Sequence, residues 1–272
     1  MHILTSKALE VEVLDPVADQ ERFGMRYCTG GYIFQIRDVQ RGPLLSGATY
    51  PDSFNVFDGQ GMPDAFNLNP LRHPKDPGAP ALIIGIGLCD LAANTVLEFN
   101  RWQVEAEASR VRMTTVQAHE TYGLELERVV SVMDRAVRSE IRLANTGRAP
   151  IPLRWFPHPF FPQPETDELC WLNAPVRIGA DDPAYEVGAS GFIRRKGWPW
   201  TEGKYLPLDH AARANLVVLQ RHPVVGMVAG ICSYAPASFP IWGNPRTFSW
   251  EPFLEHTVGA KQTLSWHIDY HF

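Results

Sequence analysis

The stretch Thr263–Phe272, TLSWHIDYHF, alternates between apolar and polar side chains. Its apolar members occupy every second position: Leu264, Trp266, Ile268, Tyr270 and Phe272. Side chains of a β-strand point alternately to its two faces, so this period of two places the apolar set on one face. The pattern predicts a strand with one buried face and one partly hydrated face.

Similar strand patterns precede it along the chain. RWQVEAEASRVRMTTVQAHE (101–120), YGLELERVVSVMD (122–134) and AVRSEIRLANTG (136–147) are separated by short polar breaks and predict a meander. ANLVVLQRHP (214–223) and VGMVAGICSYAP (225–236) predict two further paired strands. The best helical candidate is short, from Pro16 to Phe23, with Asp15 as its N-cap. Many short strands with frequent turns favour an all-β sandwich or barrel.

Length and composition fit one domain. The chain has 272 residues, of which 45% are hydrophobic, so a single all-β domain spanning 1–272 is expected. The formal net charge of -5, without a basic stripe, argues against a nucleic-acid partner. The sequence contains no apolar run of about 20 residues, so no membrane-spanning helix is predicted. Monomer and homodimer both remain open.

The cysteines indicate the compartment. Cys28, Cys89, Cys170 and Cys232 are too far apart for a CxxC metal or redox pair. Their even number allows two disulfides, but a chain of this size does not need them. The first residues, MHILTSKALEVEVLD, lack the apolar region of a secretory signal. A cytoplasmic protein with reduced thiols is therefore predicted.

Two segments are candidates for chemistry. In RWFPHPFFPQP (154–164), His158 lies between two prolines, which stiffen the backbone around the imidazole. In TFSWEPF (247–253), Glu251 follows Trp250, and an aromatic setting would desolvate the carboxylate and raise its pKa towards that of a general base. The alternatives are a structural histidine and a strand-end glutamate that faces water.

The order of these segments resembles that of the aldose epimerases in the galactose mutarotase-like superfamily. The matching residues are His158-Pro159-Phe160-Phe161, then Glu251-Pro252, Gly259 and Tyr270-His271-Phe272. The resemblance implies a large antiparallel β-sandwich, the supersandwich of this superfamily. It also implies that the α and β anomers of a hexose or hexose phosphate are interconverted without a cofactor or metal. His158 would be the catalytic acid and Glu251 the catalytic base.

Further residues follow from the resemblance. FDGQGMP (57–63), followed by Phe66, resembles a loop that lines the sugar site in hexose-6-phosphate epimerases. The family's early active-site histidine has no counterpart in Ile84–Asp90, and His73 is the nearest substitute. Arg194–Trp200, RRKGWPW, is either a clamp for a sugar phosphate or a solvated loop. The candidates for binding the sugar are Asp58, Gln60, Arg72, His73, Trp198, Asp209 and Trp242.

Three other functions are alternatives. The first is a non-catalytic carbohydrate-binding protein on the same fold, which the missing early histidine favours and the His158–Glu251 pair disfavours. A metal-dependent enzyme would draw on His73, His158, His210 or His222, but no HxH or HExxH spacing is present. A serine hydrolase is disfavoured because the chain has no GxSxG motif.

Overall fold

The computed structural model describes residues 1–47, 59–73 and 75–272. Regular structure in these ranges is β-strand apart from one 3-10 helix, Gln20–Arg22. Asp15 does cap this region, because its carboxylate accepts the N–H groups of Val17 and Ala18 at 2.8 and 2.9 Å. The predicted α-helix from Pro16 to Phe23 does not form. The segment contains only the 3-10 turn Gln20–Arg22, in which no residue is buried.

The strands are numbered in chain order, and the largest sheet is called the large sheet. Its order is β17 (Tyr185–Val187), β18 (Ile193–Arg195), β15 (Glu168–Leu172), β20 (Val217–His222), β21 (Gly226–Cys232), β25 (Thr263–His271), β12 (Ala136–Asn145), β11 (Tyr122–Met133), β10 (Arg110–His119) and β9 (Trp102–Ala106). The predicted meander and the predicted β20–β21 hairpin are both confirmed as antiparallel pairs. In β25 the side chains of Trp266, Ile268 and Tyr270 are buried, as the alternation predicts.

Smaller antiparallel sheets complete the fold. One sheet contains β1 (His2–Thr5), β2 (Leu9–Val13), β3 (Ile33–Asp38) and β4 (Gly42–Pro43), and another contains β6 (Ala81–Ile83), β7 (Gly87–Asp90) and β8 (Thr95–Phe99). A third has the order β24 (Leu254–Val258), β13 (Ile151–Pro157) and β5 (Asp64–Ala65). The fourth, called the site sheet below, has the order β14 (Phe161–Pro162), β23 (Thr247–Trp250), β22 (Phe239–Gly243), β19 (Lys204–His210) and β16 (Val176–Arg177).

One apolar core joins these sheets. Val11 comes from the first small sheet, Ile141 from the large sheet and Trp250 from the site sheet, and all three belong to one cluster of buried side chains. Sheets that bury their apolar faces against each other form a β-sandwich. The predicted all-β sandwich is therefore confirmed, whereas the single domain over 1–272 stays a prediction.

The four cysteines are free and buried. Burial raises the pKa of the Cys28 thiol to about 12 and that of Cys89 to about 11, which keeps both thiols protonated and unreactive. No helix in the ranges 1–47, 59–73 and 75–272 is long and apolar enough to cross a membrane.

Candidate active site

His158 follows directly after β13 and is held by the segment 59–66. Its main-chain N–H donates to the carbonyl of Pro63 at 2.8 Å, and the N–H of Phe160 donates to the carbonyl of Gly61 at 2.8 Å. One residue further along, β5 pairs with the end of β13 through Asp64 and Pro157. The flanking prolines lack N–H groups, so hydrogen bonds to alternate residues fix this backbone.

The short strand β14 brings the other half of the site to His158. Phe161 of β14 pairs with Phe248 of β23, and the hydroxyl of Thr247 donates to the carbonyl of Phe161 at 2.8 Å. Alternation along β23 sends Phe248 and Trp250 into the core. Ser249 and Glu251 therefore lie on the opposite face, where His158 packs.

The imidazole of His158 lies between a carboxylate and a hydroxyl. Its Nε2 is 3.3 Å from Oε1 of Glu251, and its Nδ1 is 3.1 Å from Oγ of Ser249. The exposed fractions of His158 and Glu251 are 0% and 2%. Two titratable groups that are buried together at this distance can act as one acid–base unit.

Aromatic rings enclose the imidazole. Phe160 stacks on it with ring centroids 4.3 Å apart and an interplanar angle of 17°. Trp242 and Tyr27 present tilted or edge-on rings, with centroids at 5.8 and 6.2 Å. These contacts hold the ring in one orientation and lower the polarity around it.

Burial shifts the two pKa values in opposite directions. It lowers the pKa of His158 well below the usual value, and the positive charge of Arg26 acts in the same direction. It raises the pKa of Glu251 to about 8, although Arg26 opposes this rise. The pKa of Glu251 thus lies above that of His158. One proton shared by the pair resides on Glu251, and His158 is neutral.

The structure brings three of the predicted residues together: His158, Glu251 and Trp242. Gln60 lies in the segment that holds His158. Its carbonyl accepts the hydroxyl of Tyr32 at 2.7 Å, and its amide donates to the carbonyl of Phe34 at 3.4 Å. Asp58 lies outside the described residues.

The other predicted residues make contacts elsewhere. Arg72 donates to the carbonyl of Pro77 at 3.3 Å, and Nε2 of His73 is 3.8 Å from the carboxylate of Glu120. Asp209 is exposed on β19, where it pairs with Arg177 of β16.

Within RRKGWPW, Arg195 is buried and makes its contacts with other residues of the protein. It is 5% exposed and donates to Gln163 and to the carbonyl of Pro164, each at 3.0 Å. Trp198 covers the guanidinium, whose central carbon is 3.9 Å from the ring centroid. These contacts tie the loop to the site sheet, because Gln163 in turn donates to the carbonyl of Thr247 at 2.9 Å.

His222 and His210, the two other histidines named as possible metal ligands, make hydrogen bonds to the main chain nearby. Nε2 of His222 is 2.7 Å from the carbonyl of Leu44, and Nδ1 of His210 accepts the N–H of Ala212 at 3.3 Å. Within the described part of the chain, no group of three or more His, Cys, Asp or Glu side chains is placed to hold a metal.

Three contributors to the site were missed in the sequence. Ser249 had a usable signal, because it lies two positions before Glu251 in an alternating strand and so shares its face. Arg26 and Tyr27 lie in a loop without periodicity, and nothing local connects them to His158. Only the fold places them at the site.

A buried ion pair supports the segment that holds His158. Nη1 of Arg128, on β11, donates to Oδ1 of Asp64 at 2.8 Å, and Nη2 donates to Oδ2. Arg128 is 1% exposed. Since Asp64 adjoins Pro63, whose carbonyl accepts the N–H of His158, the pair connects the large sheet to the site.

No family model and no curated protein matches the sequence. Solved structures do match. A galactose mutarotase related enzyme from Lactobacillus acidophilus gives a TM-score of 0.63 at 10% identity, over 99% of this chain and 96% of that one. A galactose mutarotase-like protein from Lactobacillus casei gives 0.57 at 11% identity, over 100% and 99%. An aldose epimerase homologue from Caenorhabditis elegans gives 0.56 at 12% identity, over 99% and 97%. The chain therefore has the galactose mutarotase-like fold.

Proposed function

We propose that the protein is a cofactor-independent aldose 1-epimerase-like isomerase. It interconverts the α and β anomers of a hexose or hexose phosphate, with His158 and Glu251 as its acid–base pair. The observation that carries this proposal is the 3.3 Å contact between their side chains in a buried site on a galactose mutarotase-like fold. Perturbed pKa values in such a pair are typical of catalytic sites.

The reaction needs one base and one acid at a single sugar carbon. The Glu251 carboxylate removes the proton of the anomeric hydroxyl, and protonated His158 donates a proton to the ring oxygen. The bond between the anomeric carbon and the ring oxygen breaks, which yields the open-chain aldehyde. Rotation about the adjacent carbon–carbon bond turns the other face of the carbonyl to the hydroxyl. The ring then closes with the roles reversed, and both groups return to their starting states.

The pair must hold one proton for this cycle. In the empty site the pKa order places it on Glu251. Its transfer to Nε2 of His158, across the 3.3 Å contact, creates the carboxylate base and the imidazolium acid together. The positive charge of Arg26 lowers the pKa values of both Glu251 and His158, so it affects the charge of the pair as a whole.

Anomer exchange measured by NMR at equilibrium tests the proposal. The protein is added to glucose, galactose and their 6-phosphates, beside a His158→Ala/Glu251→Ala variant and a Glu255→Gln control. Exchange well above the buffer rate, lost in the double variant and retained in the control, supports the isomerase. Absence of acceleration with all four sugars, in protein shown to be folded, rejects it for these substrates.

A non-catalytic carbohydrate-binding protein is the second candidate. The observation in its favour is the burial of the pair, because a sugar must reach groups that are only 0% and 2% exposed. In that case sugars bind without faster exchange. Saturation-transfer NMR on the same samples separates the two functions, since it detects binding whether or not anomers interconvert.

A further inference from the structure

The site sheet carries a row of side chains that leads away from His158. Ser249 on β23 lies opposite Trp242 on β22, and Trp242 lies opposite Tyr205 on β19. Directly opposed residues in antiparallel strands project from the same face. The row therefore shares the face on which Ser249 and Trp242 contact His158.

Exposure rises steeply along this row. Ser249 is 0% exposed, Trp242 is 7% exposed and Tyr205 is 58% exposed. No other aromatic side chain within residues 1–47, 59–73 and 75–272 is among the exposed large apolar groups. The row thus begins at the acid–base pair and ends in solvent on an aromatic ring.

Tyr205 sits on a rigid part of the sheet. The hydroxyl of Tyr185, which is 0% exposed, donates to the carbonyl of Lys204 at 2.9 Å. On the other side, Leu206 packs against the core. An exposed aromatic ring on a paired strand offers a flat apolar surface on which a ligand can pack.

The phenol also lies within electrostatic reach of the site. Partial burial and then the Glu251 carboxylate raise the pKa of Tyr205 above its usual value, and Arg154 opposes the change. Two strand spacings, about 10 Å, separate Tyr205 from Ser249 along the row. That distance is on the scale of one hexose ring with its substituents.

We propose that Tyr205 is a sugar-stacking residue, on whose ring the C–H face of a pyranose rests while the anomeric end points along the row towards His158 and Glu251. Pyranoses present C–H groups on a face that packs well on aromatic rings, and their hydroxyls need polar partners at the edge. This inference rests on the proposed function and adds a binding residue to it. Tyr205 touches the substrate away from the reacting atoms, so it contributes to binding more than to chemistry.

Methyl glycosides test the inference without relying on catalysis, because they cannot open their rings. The probes are methyl β-D-glucopyranoside and methyl β-D-galactopyranoside, titrated by saturation-transfer NMR into wild type, Tyr205→Phe and Tyr205→Ala. Tyr122→Ala is the control, since Tyr122 is a partly buried tyrosine on β11, in the large sheet. Loss of one stacked ring is expected to weaken binding about tenfold.

The expected result has three parts. Saturation concentrates on the C–H protons of one sugar face, Tyr205→Phe and Tyr122→Ala bind as wild type does, and Tyr205→Ala binds about tenfold more weakly. Unchanged binding in Tyr205→Ala overturns the inference, and so does a wild type that binds neither glycoside. Binding that depends on Tyr205, with no acceleration of anomer exchange by wild type, supports the stacking role and rejects the isomerase.

If exchange is accelerated, the kinetic constants provide a second readout. Tyr205→Ala is expected to raise KM about tenfold with little change in kcat, because stacking is retained from the bound sugar to the transition state. A selective fall in kcat would instead place Tyr205 in the chemistry and contradict the stacking role.

Discussion

Nε2 of His158 and Oε1 of Glu251 lie 3.3 Å apart in a region closed to solvent. Opposite charges at this distance attract, but both lose their hydration when they are buried. Burial therefore favours the neutral pair, with the proton on the carboxyl group. We expect the position of this one proton to affect both the pH dependence of anomer exchange and the stability of the fold.

The rate of anomer exchange is expected to be bell-shaped in pH. Above about pH 8 Glu251 loses its proton while His158 is already neutral, so the pair has no acid. Below the lowered pKa of His158 both groups are protonated, so the pair has no base. Anomer exchange is measured by NMR at several pH values. The pH dependence of kcat/KM then gives the pKa values of the two groups in the protein without sugar.

Arg26→Met is expected to shift this pH profile. The positive charge of Arg26 lowers both pKa values, so its removal is expected to move both limbs to higher pH. Arg22→Met removes a nearby arginine, which lies over Phe34, and is expected to leave the limbs in place. An alkaline limb that stays fixed in Arg26→Met would contradict the assignment of that limb to Glu251.

Glu251→Gln is expected to stabilise the protein at alkaline pH. The folded-state pKa of Glu251 is raised from 4.5 to about 8, so wild type loses stability as pH rises through this window. The neutral amide removes that loss, which is on the order of 4 kcal/mol at pH 9. Urea unfolding at pH 5 and pH 9 measures it, with the exposed Glu255→Gln as control. An equal pH dependence of the unfolding free energy in wild type and Glu251→Gln would show that burial does not raise the pKa of Glu251.

Ser249→Ala is expected to slow exchange roughly fivefold, because a buried hydrogen bond worth about 1 kcal/mol orients the imidazole. The Ser249 hydroxyl lies 3.1 Å from Nδ1 of His158, so its loss should also change the tautomer balance. The ¹⁵N shifts of His158 detect this change, which a purely structural defect would not produce. Ser190→Ala, whose hydroxyl contacts Glu168 instead, should leave both the rate and the shifts unaltered.

Arg128→Met is expected to destabilise the fold by about 3–5 kcal/mol, because it leaves the buried carboxylate of Asp64 without its partner. The double variant Arg128→Met/Asp64→Leu should recover most of this loss, since no uncompensated charge remains. Chemical unfolding of wild type, both single variants and the double variant gives the coupling free energy. Additive losses would show that the two side chains do not depend on each other.

Local patterns in the sequence were enough to predict many of the strands and the desolvation of Glu251. The alternation in Thr263–Phe272 predicted the buried face of β25, and the aromatic neighbours of Glu251 predicted its desolvation. The contact of Glu251 with His158 depends on the pairing of β14 with β23, which joins distant segments and leaves no periodic signal. The burial of Arg195 was likewise hidden, since a basic, aromatic loop has the same composition whether it faces solvent or the protein.

The place of β25 in the large sheet has a consequence for biosynthesis. β25 follows every other described strand in the chain, yet it lies between β12 and β21 in the middle of the sheet. The β9–β12 meander can pair early, and so can the other half of the sheet, which consists of β15, β17, β18, β20 and β21. The two halves cannot join until β25 has left the ribosome. Two open sheet edges are thus exposed in the nascent chain until β25 pairs with both of them.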